Sequence, residues 1–279
     1  MQYMSLHCVH FRAYSAGMTR IDYRTQTFIV TGASAGLGAE FARQLAARGS
    51  NLVLVARRAD RLEALADELT RAHGVTVTAL ARDLGRPDAG RTLRSELESR
   101  GIHATGLVNN AGFGTHNAFA DEDPDRLQDM LALNVGALVD LSRAYFEPLS
   151  AADAGVLINV SSLLGHQPTP YMSVYGATKA FVLNVTEGLW AEARGTRLRV
   201  LAVCPGAMDT EFYEAAGSQT ADYGTKRVSP EAVVRKALAT LDRRSAPPSV
   251  ITNGGSLAVL TKLLSRRQGV RFMARFARR

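Results

Sequence analysis

Tyr175 and Lys179 bound the stretch Tyr175-Gly176-Ala177-Thr178-Lys179, and Phe181, Leu183, Val185 and Leu189 continue a helical pattern behind it. Positions four apart share one helix face, so a phenol and an ammonium are neighbours there. A phenol with an ordinary pKa of about 10 exchanges protons poorly at neutral pH, and a fixed ammonium beside it stabilises the phenolate and lowers that pKa. The pair suits general acid/base chemistry near pH 7. Taken alone, a tyrosine and a lysine at this spacing are more often an amphipathic surface pair, so their meaning depends on their surroundings.

Ser162 lies just past the strand-like run Val156–Val160, where its hydroxyl is placed to hydrogen-bond a substrate carbonyl, and Ser161 is a ready alternative. Asn109-Asn110-Ala111-Gly112 follows another strand-like run, and Cys204-Pro205-Gly206 with Thr210 follows a third. The carboxyl ends of strands are the edge at which an open α/β sheet binds ligands. After the first strand the chain reads Thr31-Gly32-Ala33-Ser34-Ala35-Gly36-Leu37-Gly38 and then turns helical. Such a glycine-rich turn lets backbone approach a pyrophosphate, and the helix N-terminus offers unpaired N–H groups to the anion. The spacing T-G-x-x-x-G-x-G is not the general dinucleotide fingerprint, so this turn alone is a weak signal.

The elements that must position these groups alternate. Runs at Thr27–Thr31, Leu52–Ala56, Val75–Leu80, Gly106–Val108, Val156–Val160, Leu198–Cys204 and Ser249–Ile251 have the length and β-branched content of buried parallel strands. Between them lie helical stretches such as Leu62, Leu65, Ala66 and Leu69. The expected fold is α/β: one doubly wound Rossmann-type domain, a seven-stranded parallel sheet with helices on both faces, over residues 26–255. Asp60 followed by Glu63 has the form of an N-cap, and Pro124 and Pro230 each follow a capping residue at a first helical position. Residues 1–25 are expected to be a mobile arm, interrupted by too many polar residues to be a signal peptide, and Met18 leaves open a second start site.

In order along residues 27–252, T-G-x-x-x-G-x-G, Asp83 after the third strand, N-N-A-G at Asn109–Gly112, the set Asn134/Ser162/Tyr175/Lys179 and P-G-x-x-x-T at Pro205–Thr210 resemble the single-domain, Y-x-x-x-K branch of the short-chain dehydrogenase/reductase family. The thirteen-residue offset to Tyr175 favours Ser162 over Ser161. The resemblance implies that Tyr175 passes a proton to or from the substrate oxygen while Ser162 holds that oxygen. It implies that Lys179 lowers the Tyr175 pKa and binds the nicotinamide ribose, and that Asn134 holds a water linking Lys179 to solvent, the alternative being that Asn134 caps or bends its helix. Implied cofactor contacts are Gly32, Ser34, Gly36, Leu37, Gly38, Arg57, Arg58, Asp83, Asn109, Ala111, Gly112, Tyr175, Lys179, Pro205, Gly206 and Thr210.

Charge bears on which nicotinamide cofactor is expected. A carboxylate after the second strand would favour the free ribose of NAD, but the chain reads Val55-Ala56-Arg57-Arg58. Arg57 is placed to clamp a 2′-phosphate, with Arg58 or Ser34 adding to it, so NADP(H) is expected over NAD(H). Ala207–Arg227, with Met208, Phe212, Tyr213 and Tyr223, occupies the family's lid region and points to an apolar, lipid-like carbonyl or secondary alcohol. His116 and His166 are expected to be solvent-facing loop residues, and Cys204 a small buried apolar one.

Cys8 and Cys204 are too few for a disulfide framework or a metal centre, so no metal is expected and a cytoplasmic setting fits. No apolar run approaches the roughly 20 residues that cross a bilayer. Residues 243–279 hold nine of the 33 Lys and Arg and no acid, leaving 24 bases against 26 acids elsewhere. A near-neutral body of this kind does not suggest nucleic acid. Residues 256–279 are expected to form two amphipathic pieces broken at Gly269, Leu257, Leu260, Leu263 and Leu264 sharing one face and Phe272, Met273 and Phe276 the next. This basic tail either makes a peripheral contact with anionic lipid or packs on the body or a subunit interface. The resemblance also implies a homo-dimer or homo-tetramer. Two rival functions stay open: a catalytically silent NADP-binding sensor or scaffold, and an epimerase or dehydratase that uses the cofactor transiently.

Overall fold

The computed structural model describes residues 20–218, 222 and 226–277. Seven strands, β1 (Thr27–Thr31), β2 (Asn51–Ala56), β3 (Val77–Ala81), β4 (Gly106–Asn109), β5 (Val156–Val160), β6 (Arg199–Cys204) and β7 (Ser249–Ile251), form one sheet in the order β3-β2-β1-β4-β5-β6-β7. Every neighbouring pair is parallel. The order reverses between β1 and β4, and at such a switch point the loops diverge to leave a crevice beyond the carboxyl ends.

Successive residues of β1 serve opposite faces. Phe28 and Val30 join Phe41 and Leu45 of α1 (Gly36–Ala46), Leu62 and Leu69 of α2 (Ala59–His73), and Val234 and Leu238 of α8 (Pro230–Leu241). Ile29 faces the other layer with Leu93 and Leu97 of α3 (Ala89–Ser99) and Leu141 and Leu149 of α5 (Leu138–Ala151). Burial on both faces is why these strands read as continuous apolar runs rather than alternating ones. Each fully buried Leu or Phe contributes about 1.5–3 kcal/mol.

Several local expectations change. The third strand begins at Val77, not Val75: Val75 is buried, but the ladder to β2 starts at the pairing of Leu52 with Val77. The N-cap of α2 is Arg58, and Asp60 lies inside the first turn, where its carboxylate complements the helix dipole instead of capping it. Pro124 does open its helix, α4 (Pro124–Leu131), behind a capping Asp123, and Pro230 opens α8 behind Ser229.

Residues 1–19 of the expected arm lie outside the described residues, and the short 3-10 turn Tyr23–Thr25 packs on the body. Tyr23 stacks on Phe28 at 6.2 Å, donates a hydrogen bond to Asp242 at 2.7 Å and carries Arg48 over its ring. At the other end, α9 (Gly255–Leu263) and α10 (Arg266–Phe276) are separated at Leu264–Ser265, not at Gly269. Ser265 and Gln268 form a reciprocal capping box that starts α10 there, and Gly269 is buried one turn in. No described helix is long and apolar enough to cross a membrane.

Candidate active site

A cavity of about 550 Å3 lies at the carboxyl edge of the sheet, running from the β1 turn to α6 (Ser173–Glu192) and the short helix α7 (Phe212–Ala215). Gly32 holds φ at +66°, and a Cβ there would stand 2.8 Å from the Asn110 amide nitrogen and 2.9 Å from Ala111 Cα. Gly38 faces inward, where a Cβ would run into the Gly32 carbonyl oxygen and Asn110. The turn is thus squeezed between its own helix and the β4 loop. Thr31 Oγ1 locks it by accepting from Asn110 N at 2.9 Å and Ala111 N at 3.0 Å, while Asn110 Nδ2 donates to Thr31 O at 2.9 Å.

Of the expected cofactor contacts, Gly32, Ser34, Gly36, Leu37, Arg57, Arg58, Asp83, Ala111, Gly112, Tyr175, Lys179, Pro205, Gly206 and Thr210 line the cavity. Gly38 and Asn109 do not. Gly38 supports the turn from behind, and Asn109 Nδ2 donates into the core, to Asn159 Oδ1 at 2.9 Å and Ser142 Oγ at 3.1 Å. Its neighbour Asn110 is the one that lines the cavity. Asn109 faces inward because it ends β4 in register with Asn159 of β5.

At the other end, α6 brings Tyr175 and Lys179 to the cavity wall with Ser162 beyond β5. The two serines divide: Ser161 Oγ donates to the Lys179 carbonyl at 2.7 Å and so pins α6, whereas Ser162 lines the cavity with Tyr175 and its Oγ donates to the Pro205 carbonyl at 3.5 Å. Ser162 also accepts from Leu164 N at 3.1 Å, which fixes its rotamer. The phenol ring packs on Phe212 at 5.3 Å between centroids and against Gly114.

The Tyr175 phenol is held above its ordinary value, by burial first, with the Ser162 hydrogen bond opposing and Tyr213 adding to the rise. Burial outweighs the expected lowering by Lys179. The ammonium stands 5.8 Å from the ring centroid and donates to Val160 O at 2.9 Å, and desolvation of the phenolate dominates. Burial also pushes the Lys179 amine down to about 8, Cys204 opposing.

Asn134 sits on a π-helical turn, Ala132–Ala137, between α4 and α5, a widening that commonly marks functional positions. Its Oδ1 accepts from Phe113 N at 3.1 Å, and its Nδ2 donates to Phe113 O at 2.9 Å and Thr178 Oγ1 at 3.1 Å. It ties the β4 loop to α6. A Cβ on Gly112 would fall 2.8 Å from Asn134 Oδ1 and 3.5 Å from Lys179 Nζ, so the three groups adjoin.

Residues beyond the expected cofactor contacts complete the walls. Asn253 holds the β6 loop, accepting from Gly206 N at 2.7 Å and donating to Ala207 O at 3.0 Å. Phe212, Tyr213, Met208 and Leu257 line the cavity. Met273 of α10 is buried in one cluster with Met130, Met172, Tyr175 and Tyr213. His116 and His166 are half-buried rather than solvent-facing, His116 lying 6.1 Å from the Tyr171 ring, and neither lines the cavity. Cys204 is buried as expected; Cys8, Met18, Tyr223 and Gly224 lie outside the described residues.

A parallel sheet with this strand order, a glycine turn at its switch point and a serine, tyrosine and lysine at one edge define a nucleotide-linked α/β enzyme class. Residues 26–221 match the family model described as short chain dehydrogenase, and the chain belongs to that family. It is 31% identical over 222 residues to a very-long-chain 3-oxoacyl-CoA reductase of Anas platyrhynchos, covering 78% of this chain and 69% of that one. It is 34% identical over 240 residues to a sulfoacetaldehyde reductase of Chromohalobacter salexigens, covering 82% and 92%. Among solved structures, a short-chain dehydrogenase from Sphingobium yanoikuyae in complex with NADPH superposes with a TM-score of 0.76 at 36% identity, covering 88% of this chain and 95% of that one.

Proposed function

We propose that this protein is an NADP(H)-dependent oxidoreductase that interconverts an apolar carbonyl compound and its secondary alcohol. The observation that carries it is the convergence of Ser162, Tyr175 and Lys179 on the wall of one cavity whose far end presents Arg57 and Arg58. In such a site the bound nicotinamide supplies or accepts a hydride at the substrate carbon. Ser162 holds the substrate oxygen, and Tyr175 gives that oxygen a proton in reduction or takes it in oxidation. Lys179 binds the nicotinamide ribose and, buried beside the phenol, supplies the positive charge that a departing proton requires. Asn134 fixes α6 against the β4 loop, with its Oδ1 free to accept a second hydrogen bond from water.

The preference for NADP(H) is supported by the two arginines after β2, by the absence of a carboxylate at Ala56–Arg58, and by the NADPH in the similar Sphingobium protein. The apolar substrate class is supported by Phe212, Met208 and Leu257 on the cavity wall. The relatives act on compounds as unlike as a very-long-chain acyl thioester and sulfoacetaldehyde, so the walls of this chain bear more on its substrate than the names do.

Two further contacts belong to this reading. Arg267, Arg271 and Arg275 follow one another along the exposed side of α10, near exposed Val259, Leu260 and Leu263, a surface suited to anionic lipid at a cytoplasmic membrane face. Exposed Leu131 and Val139 on α4 and α5 offer a face for a homo-dimer or homo-tetramer. The deciding experiment is titration with NADPH and NADH followed by an absorbance screen of ketones, aldehydes and alcohols of increasing apolar size. NADPH-linked turnover of a bulky apolar compound is the expected outcome; NADPH binding without any turnover would favour the silent sensor instead.

A further inference from the structure

Glu211 stands at the entry to α7, and two arginines of the neighbouring βα unit hold its carboxylate. Arg61 Nη1 donates to Oε1 at 2.7 Å, and Arg58 Nη1 to Oε2 at 3.0 Å. The remaining edge of Arg58 is turned to the glycine turn, where Nε and Nη2 donate to Ser34 Oγ at 3.1 and 3.0 Å. Glu211, Arg58 and Ser34 line the same end of the cavity as Arg57, whereas Arg61 lies outside it.

The flanking residues connect this clasp to both halves of the site. Thr210 packs against Gly36, where a Cβ would approach its side chain to 3.4 Å. Phe212 packs on the Tyr175 ring at 5.3 Å, and Tyr213 is buried in the same cluster. One run of four residues therefore touches the glycine turn, the arginines and the phenol.

We propose that Glu211 is a built-in competitor for the 2′-phosphate: it occupies Arg58 until a phosphate-bearing nucleotide displaces it, and so sets the discrimination between NADP(H) and NAD(H). The inference rests on the NADP(H) reading of the site. Two anions within reach of one guanidinium repel each other, so a phosphate that engages Arg58 must draw it from the carboxylate. Arg61 is beyond the cavity and keeps Glu211 near, so displacement loosens the entry to α7 without freeing it. A nucleotide lacking the 2′-phosphate leaves the clasp intact. Arrival of the phosphate is thereby coupled to the segment that carries Phe212 and Tyr213 to the phenol.

The test compares Glu211→Gln with the unaltered protein, titrating NADPH, NADH and adenosine 2′,5′-bisphosphate by fluorescence at low and high salt. Removing the charge is expected to tighten NADPH and the bisphosphate roughly two- to five-fold, as expected for an exposed ion pair, with NADH unchanged and the difference shrinking as salt rises. Unchanged or weaker NADPH binding would overturn the proposal, since Glu211 would then be inert or would orient Arg58 for the phosphate. Equal tightening of NADH would overturn it too, because the effect would not belong to the phosphate. If the unaltered protein bound neither nucleotide, the NADP(H) reading itself would fail, separately from the role of Glu211.

Discussion

Lys179 donates its ammonium proton to the Val160 carbonyl oxygen at 2.9 Å, across the joint between α6 and the carboxyl end of β5. This bond places a buried cation at the centre of the site, with consequences for stability and for pH.

Burial lowers the Lys179 pKa from 10.5 to about 8, so below about pH 8 the folded protein carries a charge that water would solvate better. Between about 8 and 10.5 the unfolded chain binds the extra proton, and stability attributable to this group rises with pH. Lys179→Met removes the penalty. The variant is expected to be more stable than the parent at pH 7 by about 2–3 kcal/mol, with the gap closing toward pH 10, while turnover is lost. Denaturant melts at several pH values measure this, and a less stable variant at pH 7 would refute it.

Tyr175→Phe keeps the ring that packs on Phe212 and Gly114 and removes only the hydroxyl. Turnover should fall by about 10²–10⁴, the usual size of a general acid/base contribution, with NADPH affinity kept. Single-turnover kinetics beside a binding titration separate the two; retained turnover would end the proton-transfer role.

Arg57 is exposed on the cavity wall and makes no ion pair among the described residues. Arg57→Ala should weaken NADPH about tenfold or more, the value of a charge-assisted hydrogen bond to phosphate, and leave NADH nearly unchanged. Comparable loss for both nucleotides would show that Arg57 supports the loop and does not read the phosphate.

Gly38→Ala drives a methyl group into the Gly32 carbonyl and the Asn110 amide, neither of which can retreat without moving β1 or β4. Overpacking of this kind costs about 1–3 kcal/mol, so a lower melting temperature and loss of nucleotide binding should appear together. Normal nucleotide affinity in the variant would count against the tight turn.

The sheet was legible because buried parallel strands leave apolar runs that turn residues punctuate, and β1, β5 and β7 match their expected limits. The carboxyl-edge residues were legible because glycine, proline and paired asparagines are rare together at strand ends. The inward turn of Asn109 was not legible because two adjacent asparagines carry the same local signal and only register with Asn159 decides which faces the core. The break before α10 was marked in sequence by Ser265 and Gln268, and attention to the capping box would have found it. Asn253 and the Glu211 clasp had no such signal, because their partners lie far away in sequence. The rise of the Tyr175 pKa had no sequence signal for a related reason: helical spacing reports proximity to Lys179 but not the burial that outweighs it.

Met273 joins the cluster around the Tyr175 phenol and Leu257 lines the cavity, although both lie beyond residues 26–221 that match the family model. On the proposed function, the parts that handle the cofactor and the proton are laid down in one contiguous stretch, and part of the substrate wall in another. Selection can rewrite the second without disturbing the first, which makes residues 255–277 a natural cassette for evolving, or grafting, a new substrate preference onto an unchanged hydride-transfer core.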